Sequence, residues 1–171
     1  MKKLTLVLLI LSLLVIGGCK ENNKKTYLPV AENDKVFTVV GGREDNQQKG
    51  VYNIQIPMED YRYEKEYDDG NLEETWDYIK KEDVEIKVTT YKNTDEITAR
   101  GKFLRDNEDY IFEDLTGYSL CGTEIDGDTL WFTLHESNGN VYIVSWEYPK
   151  NTDEELKKEL ANIAESFTVM E

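Results

Sequence analysis

Three strand-length runs in the last third of the chain, Tyr118 to Ile125, Leu130 to Glu136 and Val141 to Tyr148, leave few ways to fold it. Asp126-Gly127-Asp128 separates the first two and Ser137-Asn138-Gly139-Asn140 the last two, and both linkers are rich in residues that tolerate positive φ. This spacing predicts an antiparallel meander. Leu130, Phe132 and Leu134 fall on one face of the middle run and Trp131, Thr133 and His135 on the other, so each face is partly apolar and each needs cover. Pro149 closes the meander because it has no N–H to donate. Thr152 and Glu155 then form a capping box, and Leu156, Leu160, Ile163, Ala164 and Phe167 recur at helical spacing. A final helix is expected to lie back on the sheet.

Upstream, Val36 to Val40 ends at Gly41-Gly42, and Val51 to Ile56 alternates with period two before Pro57; an opening antiparallel pair follows. Tyr61, Tyr63 and Tyr67 share a parity and suit one face of a short strand. Asn71 with Glu74 three positions on, and Leu72, Trp76 and Ile79 at steps of four and three, predict a capped helix ending near Lys80-Lys81. Val84, Ile86 and Val88 alternate with polar residues as a strand with one buried face. Asn93 and Glu96 repeat the cap pattern ahead of Ile97, Ala99 and Phe103-Leu104, placing a second helix to about Asp106, with Gly101 a weak point inside it. The expected order is two strands, helix, strand, helix, three strands, helix. That is an α+β fold with one mainly antiparallel sheet flanked by helices.

The first 18 residues read as an address rather than as structure. Lys2 and Lys3 precede an apolar run from Leu4 to Ile16, which falls short of the about 20 residues that span a bilayer. Ile16-Gly17-Gly18-Cys19 resembles the bacterial lipobox, in which two small residues admit the peptidase and the thiol is the nucleophile that takes up diacylglycerol. The expected organisation is a lipoprotein signal peptide over residues 1–18, a lipid-anchored flexible linker over 19–34 containing Pro29, and a globular domain over 35–171. Cys19 is the expected lipid attachment site, and through it the membrane is a partner. Each buried lipid methylene contributes roughly 0.8 kcal/mol, so acyl chains hold such a domain on the outer face of a cell membrane without embedding it. With Cys19 acylated, only Cys121 remains and no intramolecular disulfide can form, which fits a Gram-positive surface. Cys121, between apolar neighbours, reads as a buried inert thiol.

Tyr52-Asn53-Ile54-Gln55-Ile56-Pro57, the run Tyr142-Ile143-Val144-Ser145-Trp146-Glu147-Tyr148-Pro149 and the capped helix leading into Ser166-Phe167 are similar to the PsbP-like family. The resemblance covers residues 35 to 169 or so and implies an α/β/α sandwich, an antiparallel sheet between helices. It implies no catalytic residue. Photosynthetic members of the family are extrinsic photosystem subunits that help retain calcium and chloride, a role nothing in this sequence marks.

Charge and residue inventory narrow the function further. Asp+Glu 35 against Lys+Arg 20 gives a formal charge of −15, and losing Lys2 and Lys3 with the leader makes it −17, so nucleic acid is not an expected partner. His135 is the one histidine; a serine triad would have a single candidate base, no G-x-S-x-G elbow is present, and His135-Glu136 continues without a second zinc-ligating histidine. No cofactor is expected. Asp106-Asn107-Glu108-Asp109 with Glu113-Asp114, or Asp68-Asp69-Gly70-Asn71 with Glu73-Glu74, offers oxygens to calcium but lacks EF-hand spacing, and both read more simply as solvated loops. Trp76, Trp131, Trp146 and the eleven tyrosines are expected mostly in the core. The expectation is a non-enzymatic, membrane-anchored extracytoplasmic lipoprotein that binds a protein or cell-envelope component. The alternatives are a cell-wall hydrolase working through acidic residues and a small-ligand or calcium-binding lipoprotein. The intact mass of membrane-extracted protein should equal that of residues 19–171 plus a diacylglyceryl adduct, and Cys19→Ala should remain untrimmed; a wild-type mass that includes the leader would overturn the assignment.

Overall fold

The computed structural model describes residues 37–41, 51–113, 119–124 and 127–170. Cys19 and the 1–18 and 19–34 segments lie outside the described residues. Among the described residues, ten strands and two helices follow in order: β1 (Phe37–Gly41), β2 (Tyr52–Ile56), β3 (Tyr61–Asp68), β4 (Asn71–Tyr78), β5 (Glu85–Tyr91), α1 (Glu96–Asp106), β6 (Tyr110–Glu113), β7 (Ser119–Glu124), β8 (Thr129–Ser137), β9 (Asn140–Tyr148), α2 (Glu154–Glu165) and β10 (Thr168–Val169). They form a three-stranded sheet, β1-β2-β10, and a seven-stranded sheet, β3-β4-β5-β9-β8-β7-β6, with every pairing antiparallel. The chain is therefore α+β with a mainly antiparallel sheet.

The long sheet is built from hairpins whose turns suit its right-handed twist. Asp69 and Gly70 (φ 45° and 80°), and Asn138 and Gly139 (φ 52° and 74°), are two-residue loops with both central residues left-handed. The second was legible as a turn. The first lies in the Asp68-Asp69-Gly70-Asn71 stretch, expected to be a solvated loop and exposed as such, but the capped helix expected from Asn71 needs correction. Residues 71–78 form strand β4, and no helix follows Asn71. Leu72 and Trp76 are four apart, a spacing that satisfies a strand as well as a helix, and only the third member of the stripe could separate the two. Ile79 is 60% exposed, whereas Leu72, Glu74 and Trp76 alternate inward.

One face of the long sheet, the inner face, packs against the small sheet and α2. Trp76, Ile86, Val88, Tyr142, Val144 and Trp146 meet Tyr52, Ile54 and Ile56 of β2 and Leu156, Leu160 and Ile163 of α2. On the outer face α1 inserts Ala99 and Phe103 beside Leu120, Leu130, Phe132, Leu134, Val141 and Ile143. Phe103 and Phe112 sit against Phe132 at ring separations of 4.6 and 5.6 Å. Phe112 also lies across Gly122, where a Cβ would come within 2.6 Å of its ring. Meander and covering helices thus agree with the alternation in β8.

Both helices begin one or two residues later than the capping patterns suggested. Asp95, rather than Asn93, accepts from the Thr98 amide at 2.8 Å, and Asp153, rather than Thr152, accepts from the Leu156 amide at 2.9 Å. Asn93 instead takes a left-handed turn (φ 50°), and Thr152 is buried and accepts from Lys81 Nζ at 2.8 Å. A carboxylate is as good an N-cap as a hydroxyl, and in each case the aspartate stands nearer the first buried residue of the apolar stripe.

Leu160 is fully buried between α2 and the sheets, while Ile97 on α1 is 84% exposed. Leu160→Ala should therefore cost about 2–5 kcal/mol in urea denaturation, and Ile97→Ala should stay within about 0.5 kcal/mol of the parent.

Candidate functional site

The outer face of the long sheet is covered over only part of its width. Where β6, β7 and β8 meet β9, and at Tyr91 at the end of β5, α1 closes it; over β3, β4, the rest of β5 and the end of β9, the outward row is polar. Cross-strand register sets Arg62 beside Asp77, Asp77 beside Glu85, and Glu85 beside Glu147. A parallel row holds Glu64, Thr75, Lys87 and Ser145, and a third Glu66, Glu73 and Thr89. With Asp68 at the hairpin end, seven carboxyls share this face with two cations, Arg62 and Lys87.

Lys87 sits in the middle of the array, its Nζ 3.6 Å from both Glu73 and Glu85. Burial pushes its ammonium pKa down, but Glu85, Glu73 and Glu66 together outweigh that and leave it raised. Burial raises the Glu73 carboxyl, with Lys87 opposing and Asp68 and Glu66 reinforcing. Glu147 is likewise raised by burial, against the opposing hydrogen bond it accepts from Tyr110 at 2.5 Å. Arg62 at the strand edge holds Asp77 at 2.9 Å and Glu64 at 3.2 Å. These pairs are open to water and contribute little stability individually. Their collective effect is a negative field over one sheet face.

Two open recesses are associated with the array, one within it and one at its edge. One of about 200 Å³ is lined by Glu64, Lys65, Glu66, Thr75, Asp77, Glu85 and Lys87. The other, about 410 Å³, is lined by Arg62, Asp77, Tyr78, Ile79, Lys81, Glu82, Asp83 and Val84. Asp77 borders both. An open, carboxylate-rich surface can hold cationic groups by charge and hydrogen bonding.

Residues singled out from the sequence lie elsewhere. His135 is on the inner face, half-buried against Phe167 at 4.7 Å between rings, with Nε2 3.2 Å from Thr133 Oγ1, and burial lowers its pKa. Trp131 and Trp146 stack at 6.0 Å, and Trp131 Nε1 donates to Tyr148 at 3.0 Å. Cys121 is buried, as expected. Asp68-Asp69-Gly70-Asn71 makes the β3–β4 hairpin, and Asp106-Asn107-Glu108-Asp109 leads from α1 into β6; Asp114 lies outside the described residues. Among the described residues no group of three or more His, Cys, Asp or Glu side chains is placed to hold a metal ion. Glu74 is the most buried acid among the described residues, 3% exposed on the inner face, where it accepts from Tyr52 at 2.5 Å and Tyr63 at 2.7 Å.

The outer array escaped sequence reading because β4 was read as a helix. With three strands aligned, the shared parity of Arg62, Glu64 and Glu66, of Glu73, Thr75 and Asp77, and of Glu85, Lys87 and Thr89 is the signal that reveals it.

No protein-family model and no curated protein matches the chain. A crystal structure of a protein from Bacteroides thetaiotaomicron VPI-5482 is similar at a TM-score of 0.41 and 12% identity, over 70% of this chain and 45% of that one. The chain spans less than half the length of that protein.

A carboxyl whose pKa is raised in the folded state contributes stability below its unfolded value and loses it as pH rises through the folded value. Glu147 thus weighs against the fold as pH climbs past the ordinary carboxylate range. Glu147→Gln removes that titration while keeping an acceptor for Tyr110. The melting temperature of the variant minus that of the parent should therefore increase between about pH 4 and pH 7; a flat or falling difference would contradict the assignment.

Proposed function

We propose that this chain is a non-enzymatic lipoprotein with a PsbP-like domain, tethered through Cys19 to the outer face of a bacterial cell membrane. Its uncovered sheet face binds a basic segment of a protein or envelope component. The observation that carries the reading is the asymmetry of the outer face: α1 closes the apolar part, and the remainder keeps seven carboxyls against two cations. Exposed sheet faces of this kind do not need such an excess for solubility, which interspersed charges supply. Opposite charge steers association and fixes register more than it adds raw affinity, so moderate, salt-sensitive binding is the expected behaviour. The leader and lipobox support the location, and no helix among the described residues is long and apolar enough to cross a membrane.

The test is binding of the full chain in detergent micelles to a lysine-rich peptide and to an acidic peptide of equal length, at low and high salt. The basic peptide should bind, weaken with salt, and lose roughly tenfold or more in affinity when Glu66, Glu73 and Glu85 are all changed to glutamine, on the order of 0.5 kcal/mol per exposed pair. Glu108→Gln with Asp109→Asn, away from the face, should leave binding unchanged. Equal losses in both variants would show only non-specific attraction to an acidic protein and would remove the proposal.

One observation favours a hydrolase as the second reading: Glu147, with its raised carboxyl, faces Glu85 across the β5–β9 pair. Clearing in a cell-wall zymogram that disappears in Glu147→Gln would replace binding by catalysis.

A further inference from the structure

The seven-stranded sheet ends in β3, whose eight residues pair with β4 on one side and with no strand on the other among the described residues. An edge of that length is a template for another strand, and proteins usually shorten, cover or break such edges. β3 is full length and carries no proline, although it is charged. Two of its inner-row tyrosines, Tyr63 and Tyr67, remain 42% and 50% exposed.

The order of side chains along β3 fits one occupant closely, namely β3 itself. We propose that β3 pairs antiparallel with β3 of a second copy of this chain, joining the two long sheets into one about a two-fold axis through Glu64. A two-fold axis perpendicular to the sheet keeps each residue on its own face and requires paired positions of equal parity. With the axis at Glu64, Arg62 stands opposite Glu66 of the second copy twice over, Tyr63 opposite Lys65 twice, and Tyr61 opposite Tyr67 twice. Opposite charges, cation–aromatic pairs and aromatic pairs are the combinations that stabilise antiparallel neighbours. One like-charge contact remains, Glu64 against Glu64, and each Glu64 already has Arg62 Nε of its own strand at 3.2 Å. Only axes at Glu64 and Lys65 pair seven of the eight β3 residues, and at Lys65, although Arg62 meets Asp68 twice, Lys65 meets Lys65 and Glu64 meets Glu66 twice, so length and charge together select the first register. The pairing does not depend on any ligand of the carboxylate face. It would place two such faces side by side on the same surface.

Disulfide scanning of the full chain in membranes tests the geometry. A residue on the axis meets its own copy, so Glu64→Cys should give a cross-linked dimer on non-reducing gels after mild copper–phenanthroline oxidation, within the 4.4–6.8 Å Cα separation a disulfide accepts. Tyr63→Cys and Lys65→Cys should cross-link poorly alone and well when the two variants are mixed. In the Glu64→Cys background, Arg62→Glu should reduce the cross-linked fraction about tenfold, and adding Glu66→Arg should restore it. No cross-link at position 64 above that of Glu108→Cys would overturn the proposal. So would strongest cross-linking at another β3 position, or indifference to the charge reversal.

Discussion

Keeping the inner face of the seven-stranded sheet dry is the constraint on which the rest of this structure depends. Trp76, Ile86, Val88 and Val144 are at most 1% exposed, and they achieve this only because α2 and a second, three-stranded sheet are laid over them. Burial at roughly 25 cal/mol per Å² of apolar surface is the dominant favourable term, and helix amphipathicity alone could not supply it. The last strand of the small sheet, β10, follows α2 directly and pairs with β2 at the other end of the domain. Helix and small sheet are therefore a single lid, closed where the strand that follows α2 pairs with β2.

Polar groups enter that dry layer under strict terms. The Glu74 carboxylate, 3% exposed, accepts from Tyr52 of the small sheet and from Tyr63 of the long one, so one acid ties the two layers together. Tyr52 can reach it because Gly41, its partner across β1 and β2, has no side chain; a Cβ there would lie 2.2 Å from the tyrosine ring. Trp76 Nε1 and Thr90 Oγ1 are buried on the same face without a hydrogen-bond partner among the described residues, which costs stability and marks this layer as less than fully satisfied.

The meander and its closing helix were legible because their signals agree: alternation, left-handed turn residues and a helical stripe all point one way over residues 119–167. The middle third was less so. Leu72 and Trp76 satisfy two periods at once, and an Asn–Glu pair looks like a cap wherever acids are abundant. Asp69-Gly70 between two polar-alternating runs was the better local signal, since its two left-handed positions force a hairpin. Strand β6 was missed because it is only four residues long: Tyr110 and Phe112 share its half-buried face and Ile111 and Glu113 its exposed one, too short a run for the period to stand out. The carboxylate array was invisible for a different reason: its members come from β3, β4, β5 and β9, and only register brings Glu85 beside Glu147, 62 positions away.

What the amino-acid order determined by itself is local: which runs are extended, where the turns reverse, which stripe of α2 is apolar, and the short apolar run from Leu4 to Ile16 ahead of Cys19. These depend on the periods of 2 and 3.6 and on backbone preferences within a few residues. What tertiary structure decided is which face each strand turns inward, that part of the outer face is left without a covering helix, and that seven carboxyls gather there with Arg62 and Lys87. Sheet order and register set those outcomes, and both arise from burying distant segments against one another, which no local window of sequence contains.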